Sequence, residues 1–314
     1  MPVLAFLARH GRLVLVAGLV AGAASPGLAL LFRPLIAPLI VGLLFLAVLR
    51  LGPDGLMAGM RGLHRAAGLA LVLQLALPLA AAGLLAALGV LANPLATGAV
   101  LVLAAAPITG SPNITLMAGG DPAPALRQLV IGTALLPVTV VPVFMVMPAF
   151  GSPQAVVRAA FELLALIALA GGAAVALRRF GIVGANERSC LAMDGIAALL
   201  LGLVVIGLMS AIGPAVVSDR PAFLAALAAA FALNMPIQLA ASALAARRLP
   251  SAAPALGIVA GNRNAALFLS VLPSATIDEL LLFIGCFQIP MYLTPFLLSG
   301  WFRRLAGGNR AAAG

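Results

Sequence analysis

Long, uninterrupted runs of apolar residues fill most of the chain, and short stretches between them carry the polar residues, glycines and prolines. The run from Leu191 to Gly213, for example, contains one acidic residue, Asp194, near its start. A run of about 20 apolar residues is long enough to cross a hydrocarbon layer of roughly 30 Å as a helix. Barrel strands would alternate polar and apolar residues, whereas these runs are apolar on every face. The pattern therefore predicts an all-α polytopic membrane protein.

About ten transmembrane helices are expected from these runs and the residues that interrupt them. The predicted spans cover residues 9–25, 28–50, 65–90, 94–118, 123–147, 155–179, 190–213, 221–246, 252–272 and 277–301. The first span, with Arg9 and Arg12 at its start and small residues up to Ser25 at its end, would also suit a cleavable signal peptide. Either interpretation places Ser25 on the outer side, so the orientation of the later spans is the same.

Composition excludes a soluble protein of this length. Hydrophobic residues make up 64% of the 314 positions and charged residues 8%, whereas a soluble domain has about 25% charged residues. The net charge of +10 could indicate nucleic-acid binding, but all eighteen basic residues are arginines that lie mostly between the apolar runs. Because cytoplasmic loops of membrane proteins concentrate such residues, we expect the lipid bilayer, and no nucleic acid, as a partner.

The arginines are divided unequally between the two sides of the predicted membrane. With a cytoplasmic N-terminus, three fall on the outer side (Arg33, Arg158 and Arg220) and fourteen on the cytoplasmic side. The fourteen are Arg9, Arg12, Arg50, Arg61, Arg65, Arg127, Arg178, Arg179, Arg188, Arg247, Arg248, Arg303, Arg304 and Arg310. Positive loops are retained in the cytoplasm, so the asymmetry supports the span count and predicts that both termini are cytoplasmic, in a bacterial inner membrane.

The chain divides near Gly151-Ser-Pro153 into residues 1–152 and residues 153–314, each with five predicted spans. Because five is odd, the second half enters the membrane from the opposite side, and any repeat must be inverted. The halves share no strong sequence identity. They correspond in having a polar interruption in the fourth span of each, and Asn113 and Asn264 lie about half the chain length apart.

The first interruption, Pro107 to Asn113, combines two prolines and a glycine with polar side chains. Proline and glycine prevent a straight helix there. A broken helix in a membrane is tolerated only where it is buried in protein or lines a water-filled cavity, because its free amides and carbonyls need partners. Thr109, Ser111, Asn113 and Thr115 are therefore candidate binding residues. The alternative is a simple proline kink whose hydroxyls bond back to the helix.

The second interruption, Asn262-Arg263-Asn264, places an arginine near the middle of a span, where it costs about 2.5 kcal/mol or more. Arg263 should face the protein interior and pair with carbonyls, a broken-helix C-terminus or an anionic ligand. It is either a structural arginine that locks two helix ends or a fixed positive charge at a transport site. Both roles can hold together.

Amides in the remaining apolar runs are interpreted mainly as contacts between helices, since amides often join transmembrane helices. These are Gln74 before Pro78, Asn234 and Gln238 on either side of Pro236, and Gln288 before Pro290. No phosphate-binding glycine loop or catalytic triad is evident. The two histidines, His10 and His64, and the two cysteines, Cys190 and Cys286, are too few for a metal site. We expect neither an enzyme nor a resident cofactor or metal.

Three stretches resemble the bile acid:sodium symporter family. Residues 93–98 and 106–121 are similar to that family's fourth span, which has a proline- and glycine-rich break, a Ser-Asn pair and a final Ala-x-Gly-Asp. Gln74 followed by Pro78 matches a glutamine and proline common in its third span. Residues 259–264 are similar to its ninth-span Glu-x-Gly-x-Gln-Asn signature, and span count and spacing agree along the whole chain.

The resemblance implies two inverted five-helix repeats in which two broken helices cross at the membrane midplane. The crossing would lie in a core domain beside a panel domain, with each domain drawn from both repeats. It would bring residues 109–113 close to residues 262–264. Members of the family carry bile acids, other organic anions or small metabolites, often with sodium. The candidate substrate- or ion-binding residues are Gln74, Thr109, Ser111, Asn113, Thr115, Thr133, Asn262, Arg263 and Asn264.

The chain departs from this pattern where the family binds sodium. Val259 stands in place of a sodium-ligating glutamate and Arg263 in place of its neighbouring glutamine. Pro112 separates the Ser-Asn pair, and Thr133 alone remains of a Ser-Thr pair. Since a guanidinium repels sodium in a low-dielectric site, we hypothesise that Arg263 takes the place of the cation. That predicts a secondary-active, sodium-independent carrier of a small organic anion, working by alternating access.

Two alternatives stay open. The first is a sodium-coupled symporter of the bile acid:sodium symporter type, in which backbone carbonyls and hydroxyls hold the cation. The second, from another class, is a non-transporting membrane sensor or scaffold subunit, although a scaffold gains nothing from polar helix breaks.

Overall fold

The computed structural model describes residues 2–59, 62–184 and 186–307, and this part of the chain is helical, without strands. Seven of its helices are long and apolar enough to cross a membrane, and one bent pair near the N-terminus would make an eighth. The prediction of an all-α polytopic membrane protein is therefore confirmed. Arg61 and Arg310, two of the fourteen arginines assigned to the cytoplasmic side, lie outside the described residues.

The N-terminal region begins with two helices, α1 (Pro2–Arg9) and α2 (Gly11–Ala24), which form the bent pair with an angle of 86°. The helix α3 (Pro26–Phe32) continues through a 3-10 turn at Arg33–Leu35 into α4 (Ile36–Gly59). Gly52 kinks α4 with φ 65° and ψ 176°, a backbone region that is essentially restricted to glycine. The second predicted span therefore extends beyond Arg50.

Breaks occur in the following helices of the first half. The helix α5 (Leu63–Leu71) joins α6 (Leu77–Ala87) through a π-helical turn at Val72–Ala76. The fourth predicted span is divided into α7 (Pro94–Ala104) and α8 (Ser111–Met117). The helix α9 (Pro122–Met145) is continuous, and it is capped by Asp121, whose side chain accepts a hydrogen bond from Ala123 N at 2.9 Å.

The second half repeats the alternation of long and interrupted helices. Its continuous helices are α10 (Pro153–Arg179), α11 (Glu187–Leu208), α13 (Arg220–Ala246) and α15 (Ser274–Leu297). The shorter helices are α12 (Ile212–Ser218), α14 (Ala253–Gly261) and α16 (Ser299–Gly307). Extended backbone and a 3-10 turn at Ala265–Ser270 follow α14, so the ninth predicted span is interrupted like the fourth.

The chain forms two compact units, and each of them draws on both halves of the sequence. The first comprises Met1–Ala58, Val157–Leu224 and Ala266–Gly285. Within it, α11 packs along α1 and α2. The second comprises Gly59–Val156, Ala225–Ala265 and Cys286–Gly314, and it contains both helix interruptions. Here α9 packs against α5, α8 and α14.

Charged side chains of the first unit pair at its surface. Arg50 donates to Asp194 at 2.9 Å, Arg158 donates to Glu162 one turn along α10 at 2.7 Å, and Arg33 pairs with Asp278. All of these carboxylates are at least partly exposed.

Candidate functional site

The two helix interruptions meet within the second unit and pair by backbone hydrogen bonds. Pro107 and Arg263 form an isolated antiparallel bridge, flanked by bonds from Ile108 N to Asn262 O at 3.0 Å and from Asn264 N to Ala106 O at 2.8 Å. Helix breaks leave amides and carbonyls without partners, which is costly away from water. Each interruption supplies those partners to the other.

Arg263 lies at this pairing, and 1% of its surface is exposed. Its guanidinium donates to three backbone carbonyls: Nε to Ala260 O at 2.8 Å, Nη1 to Ala105 O at 2.9 Å, and Nη2 to Leu73 O at 3.3 Å. The prediction that Arg263 faces the interior is confirmed, and of its predicted partners the structure shows backbone carbonyls, two of them at broken-helix C-termini. The arginine joins three elements, namely the ends of α7 and α14 and the π turn.

Local sequence explains why these three carbonyls are free to accept from Arg263. Ala105 and Ala260 lie at the C-terminal ends of α7 and α14, where helix carbonyls have no amide in the next turn. In the π turn, Leu77 N bonds to Val72 O instead of Leu73 O. The amide that would continue the π pattern to Leu73 belongs to Pro78, and proline has no N–H. Pro78 therefore leaves the Leu73 carbonyl for the arginine.

The charge of Arg263 has no acidic partner. It is the one charged side chain that is buried among the described residues, and all eight acidic residues are at least partly exposed. Its hydrogen-bond partners are neutral carbonyls, although the two helix C-termini each contribute a partial negative charge of roughly half an elementary charge. The two helix ends thus offset much of the guanidinium charge, and no carboxylate of the described residues contributes to its neutralisation.

Gln74 lies in the same region, on the π turn beside Leu73, and is fully buried. Neither atom of its side-chain amide has a hydrogen-bond partner in the described part of the chain. The amide reaches Gly132 on α9: a Cβ built on Gly132 would lie 2.6 Å from Gln74 Nε2 and 3.0 Å from Pro107 Cδ. Glycine at 132 therefore leaves the space that Gln74 occupies next to the first interruption.

Asn262, also fully buried, belongs to a network of polar side chains behind Arg263. Its Oδ1 accepts from Asn234 Nδ2 at 3.0 Å and from Gln238 Nε2 at 3.2 Å. Gln238 Nε2 also lies 3.0 Å from Thr294 Oγ1, and Asn234 Nδ2 donates to Gly261 O at 3.0 Å. The prediction that Asn234 and Gln238 hold helices together is confirmed, since they join α13 to the end of α14 and to α15.

Thr294 is the member of this network that the sequence did not indicate. It is fully buried, and its hydroxyl also donates to Pro290 O, one turn earlier, at 3.1 Å. Threonine is common in transmembrane helices because its hydroxyl bonds to its own helix, so its position in an apolar run is uninformative. The one available signal was that the amides of Asn234 and Gln238 require polar partners.

The hydroxyls of α8 bond to their own chain. Ser111 Oγ donates to Ile108 O at 2.6 Å, and Thr115 Oγ1 donates to Ser111 O at 2.8 Å, with both residues fully buried. This is the arrangement expected for the alternative interpretation, in which the hydroxyls of a proline-containing break are satisfied locally. Ser111 and Thr115 stabilise the start of α8, and their role in binding stays a prediction.

The other candidates are less enclosed. Asn113 is exposed, whereas Thr109, Thr133 and Asn264 are half-buried. Their side chains form no hydrogen bonds with the residues that the structure describes, and their role in binding stays a prediction. Val259, at the position of the family's glutamate, is fully buried and packs with Ala125 and Ala255.

No protein-family model and no curated protein matches the chain. Its likeness to the bile acid:sodium symporter family therefore rests on the residues quoted above.

Proposed function

We propose that this chain is a secondary-active transporter that carries a small organic anion across the membrane by alternating access. The observation that carries the proposal is the buried guanidinium of Arg263 at the meeting point of two interrupted helices. A buried charge without a counter-ion is destabilising. An anionic solute that approaches Arg263 would lower that cost, which gives the protein a physical means of selecting anions.

The proposed architecture is the ten-span fold of two inverted repeats that the bile acid:sodium symporter resemblance implies. Counting the bent N-terminal pair and the two interrupted segments with the seven long helices gives ten spans. The interruptions fall in the fourth span of each half, and each compact unit draws on both halves. These features support a core domain built around the interruptions and a separate panel domain. The inner membrane and the cytoplasmic termini are proposed from the distribution of arginines.

We further propose that transport is sodium-independent, because Arg263 acts as a covalently attached cation. Backbone carbonyls at helix ends are the groups with which membrane carriers hold sodium, and here the guanidinium occupies two of them, together with the Leu73 carbonyl of the π turn. Val259 offers no carboxylate that could attract a second cation. A sodium ion near Arg263 would also meet electrostatic repulsion that is only weakly screened in a buried site.

The test is the thermal stabilisation of purified protein by a panel of organic anions, each measured in sodium chloride and in choline chloride. We expect at least one anion to raise the melting temperature equally in both salts. Arg263→Gln should abolish this shift, and Arg263→Lys should retain part of it because the charge is kept. Arg248→Gln removes an exposed arginine and is the matched control, with an unchanged shift.

The outcome also separates the alternatives. Stabilisation that requires sodium would overturn sodium independence in favour of a sodium-coupled symporter. If anions stabilise wild type and Arg263→Gln equally, Arg263 is a structural residue only. Absence of both stabilisation and uptake into proteoliposomes for every anion would favour a sensor or scaffold.

A further inference from the structure

A second group of basic residues lines a cavity that is open to the surface, whereas Arg263 is buried in the protein interior. The cavity measures about 210 Å³ and is lined by Gly62, His64, Arg65 and Arg127. We refer to it as the basic cavity. All four residues belong to the second compact unit, and none of them takes part in the helix interruptions.

The basic cavity forms where two helices begin. Gly62, with φ 69°, is the N-cap of α5, and His64 and Arg65 lie in the first turn of that helix. Arg127 comes from the second turn of α9, which packs against α5. Both helices open candidate membrane spans, Leu63–Ala87 and Pro122–Met145. Their first turns should therefore lie near the depth of lipid headgroups.

The positive charges around the basic cavity lie close to a helix N-terminus, which is unfavourable when no anion is bound. A helix N-terminus carries a partial positive charge and favours acidic residues in its first turn, yet the first turn of α5 has none and carries Arg65 instead. The salt bridges among the described residues involve Arg33, Arg50 and Arg158, and therefore neither arginine of the cavity. The Nε of Arg127 is buried and has no hydrogen-bond partner among the residues that the structure describes.

We propose that the basic cavity binds a phosphate group, supplied either by the headgroup of an anionic phospholipid or by a free phosphate ion. Arginines from two different helices line the cavity, and a guanidinium is a donor suited to phosphate oxygens. The free amides at the start of α5 and its helix dipole favour the same anion. A phosphate would supply the negative charge that the first turn of α5 lacks. This site is independent of the proposed transport site.

The test compares full-length protein in nanodiscs of phosphatidylcholine alone with nanodiscs that also contain phosphatidylglycerol. Phosphatidylglycerol should raise the melting temperature of wild-type protein, and native mass spectrometry should detect a retained anionic lipid. In the Arg65→Gln/Arg127→Gln double variant, apparent affinity for that lipid should fall by at least about tenfold, because the variant loses both guanidiniums that would bond to the phosphate. Arg247→Gln/Arg248→Gln removes two exposed arginines as the matched control and should bind like wild type.

A second arm identifies the source of the phosphate. Inorganic phosphate is titrated into phosphatidylcholine nanodiscs against chloride of equal ionic strength. Stabilisation by phosphate that the double variant loses assigns a free-ion site, whereas a response to phosphatidylglycerol alone assigns a headgroup site. If the double variant does not fold, Arg65→Gln is measured instead, since its side chain is exposed. Equal lipid responses in all variants, or no response of wild type to either anion, would overturn the proposal.

Discussion

At the scale of single residues, the polar groups of the second unit differ in how completely they are satisfied. Arg263 uses all three of its side-chain nitrogens on carbonyls, whereas neither amide atom of Gln74 has a partner in the described part of the chain. Gln238 is intermediate, because its Nε2 has partners and its Oε1 has none. Since an unsatisfied buried polar atom is costly, the consequences of substitution should differ between these residues.

Gln238→Leu tests the network around Asn262. The substitution removes a donor from Asn234, Asn262 and Thr294, but it also removes the unsatisfied Oε1. We expect a net loss of about 1–2 kcal/mol in unfolding free energy, measured by titration with a denaturing detergent. Gln154→Leu changes an exposed glutamine in the same chemical way and should have little effect. A Gln238→Leu variant as stable as wild type would mean that the network adds nothing to stability.

At the scale of helices, close approach in the first unit depends on glycine. Gly18 and Gly22 are one turn apart on α2 and face α11. A Cβ built on Gly18 would lie 2.7 Å from Gly202 O, and one on Gly22 would lie 2.9 Å from Ile206 Cα. Small residues allow such backbone contact between membrane helices, where van der Waals packing is a main driving force.

Gly22→Ala should therefore destabilise the protein although alanine is the better helix former. The added methyl group meets backbone atoms of α11, which cannot move aside as a side chain can, and we expect a loss of about 1–3 kcal/mol. Gly27→Ala is the matched control on α3, where an added Cβ meets nothing within 4 Å. It should be neutral or stabilising. If the packing is as described, thermal unfolding shows a lowered melting temperature for Gly22→Ala only, and equal effects in the two variants would contradict it.

The same scale shows which parts of the structure could be predicted from sequence. Hydropathy alone locates the long helices, and Pro107, Pro112 and Arg263 indicate where two of them break, because these residues conflict with a continuous helix in lipid. The partners of Arg263 could not be predicted. They depend on the π turn at Val72–Ala76, which frees the Leu73 carbonyl, and on contacts between residues far apart in sequence. The bend between α1 and α2 also lacked a proline signal.

At the scale of the whole molecule, the membrane orientation predicted from the arginines can be examined at the two ends of a single helix, α10. The helix α10 is about 40 Å long at the usual helical rise, which is sufficient to cross a bilayer. It has Arg158 in its first two turns and Arg178 and Arg179 in its last turn. Arg178 donates to Leu49 O at 2.7 Å, so its charge is held close to the C-terminal part of α4. The positive-inside rule assigns the C-terminal end of α10 to the cytoplasm.

Cysteine labelling at the two ends of α10 tests this orientation. The background is Cys190→Ser/Cys286→Ser, which removes both native thiols. Ser152→Cys and Ile182→Cys then introduce single thiols at exposed positions immediately before and shortly after the helix. We expect a membrane-impermeant maleimide to label residue 152 in intact cells and residue 182 only after lysis. The reverse pattern would mean that the whole predicted orientation is inverted, with both termini outside. Labelling of both positions in intact cells would mean that α10 does not cross the membrane. In that case the even span count and the inverted relation between the two halves would be wrong together, because both depend on this crossing.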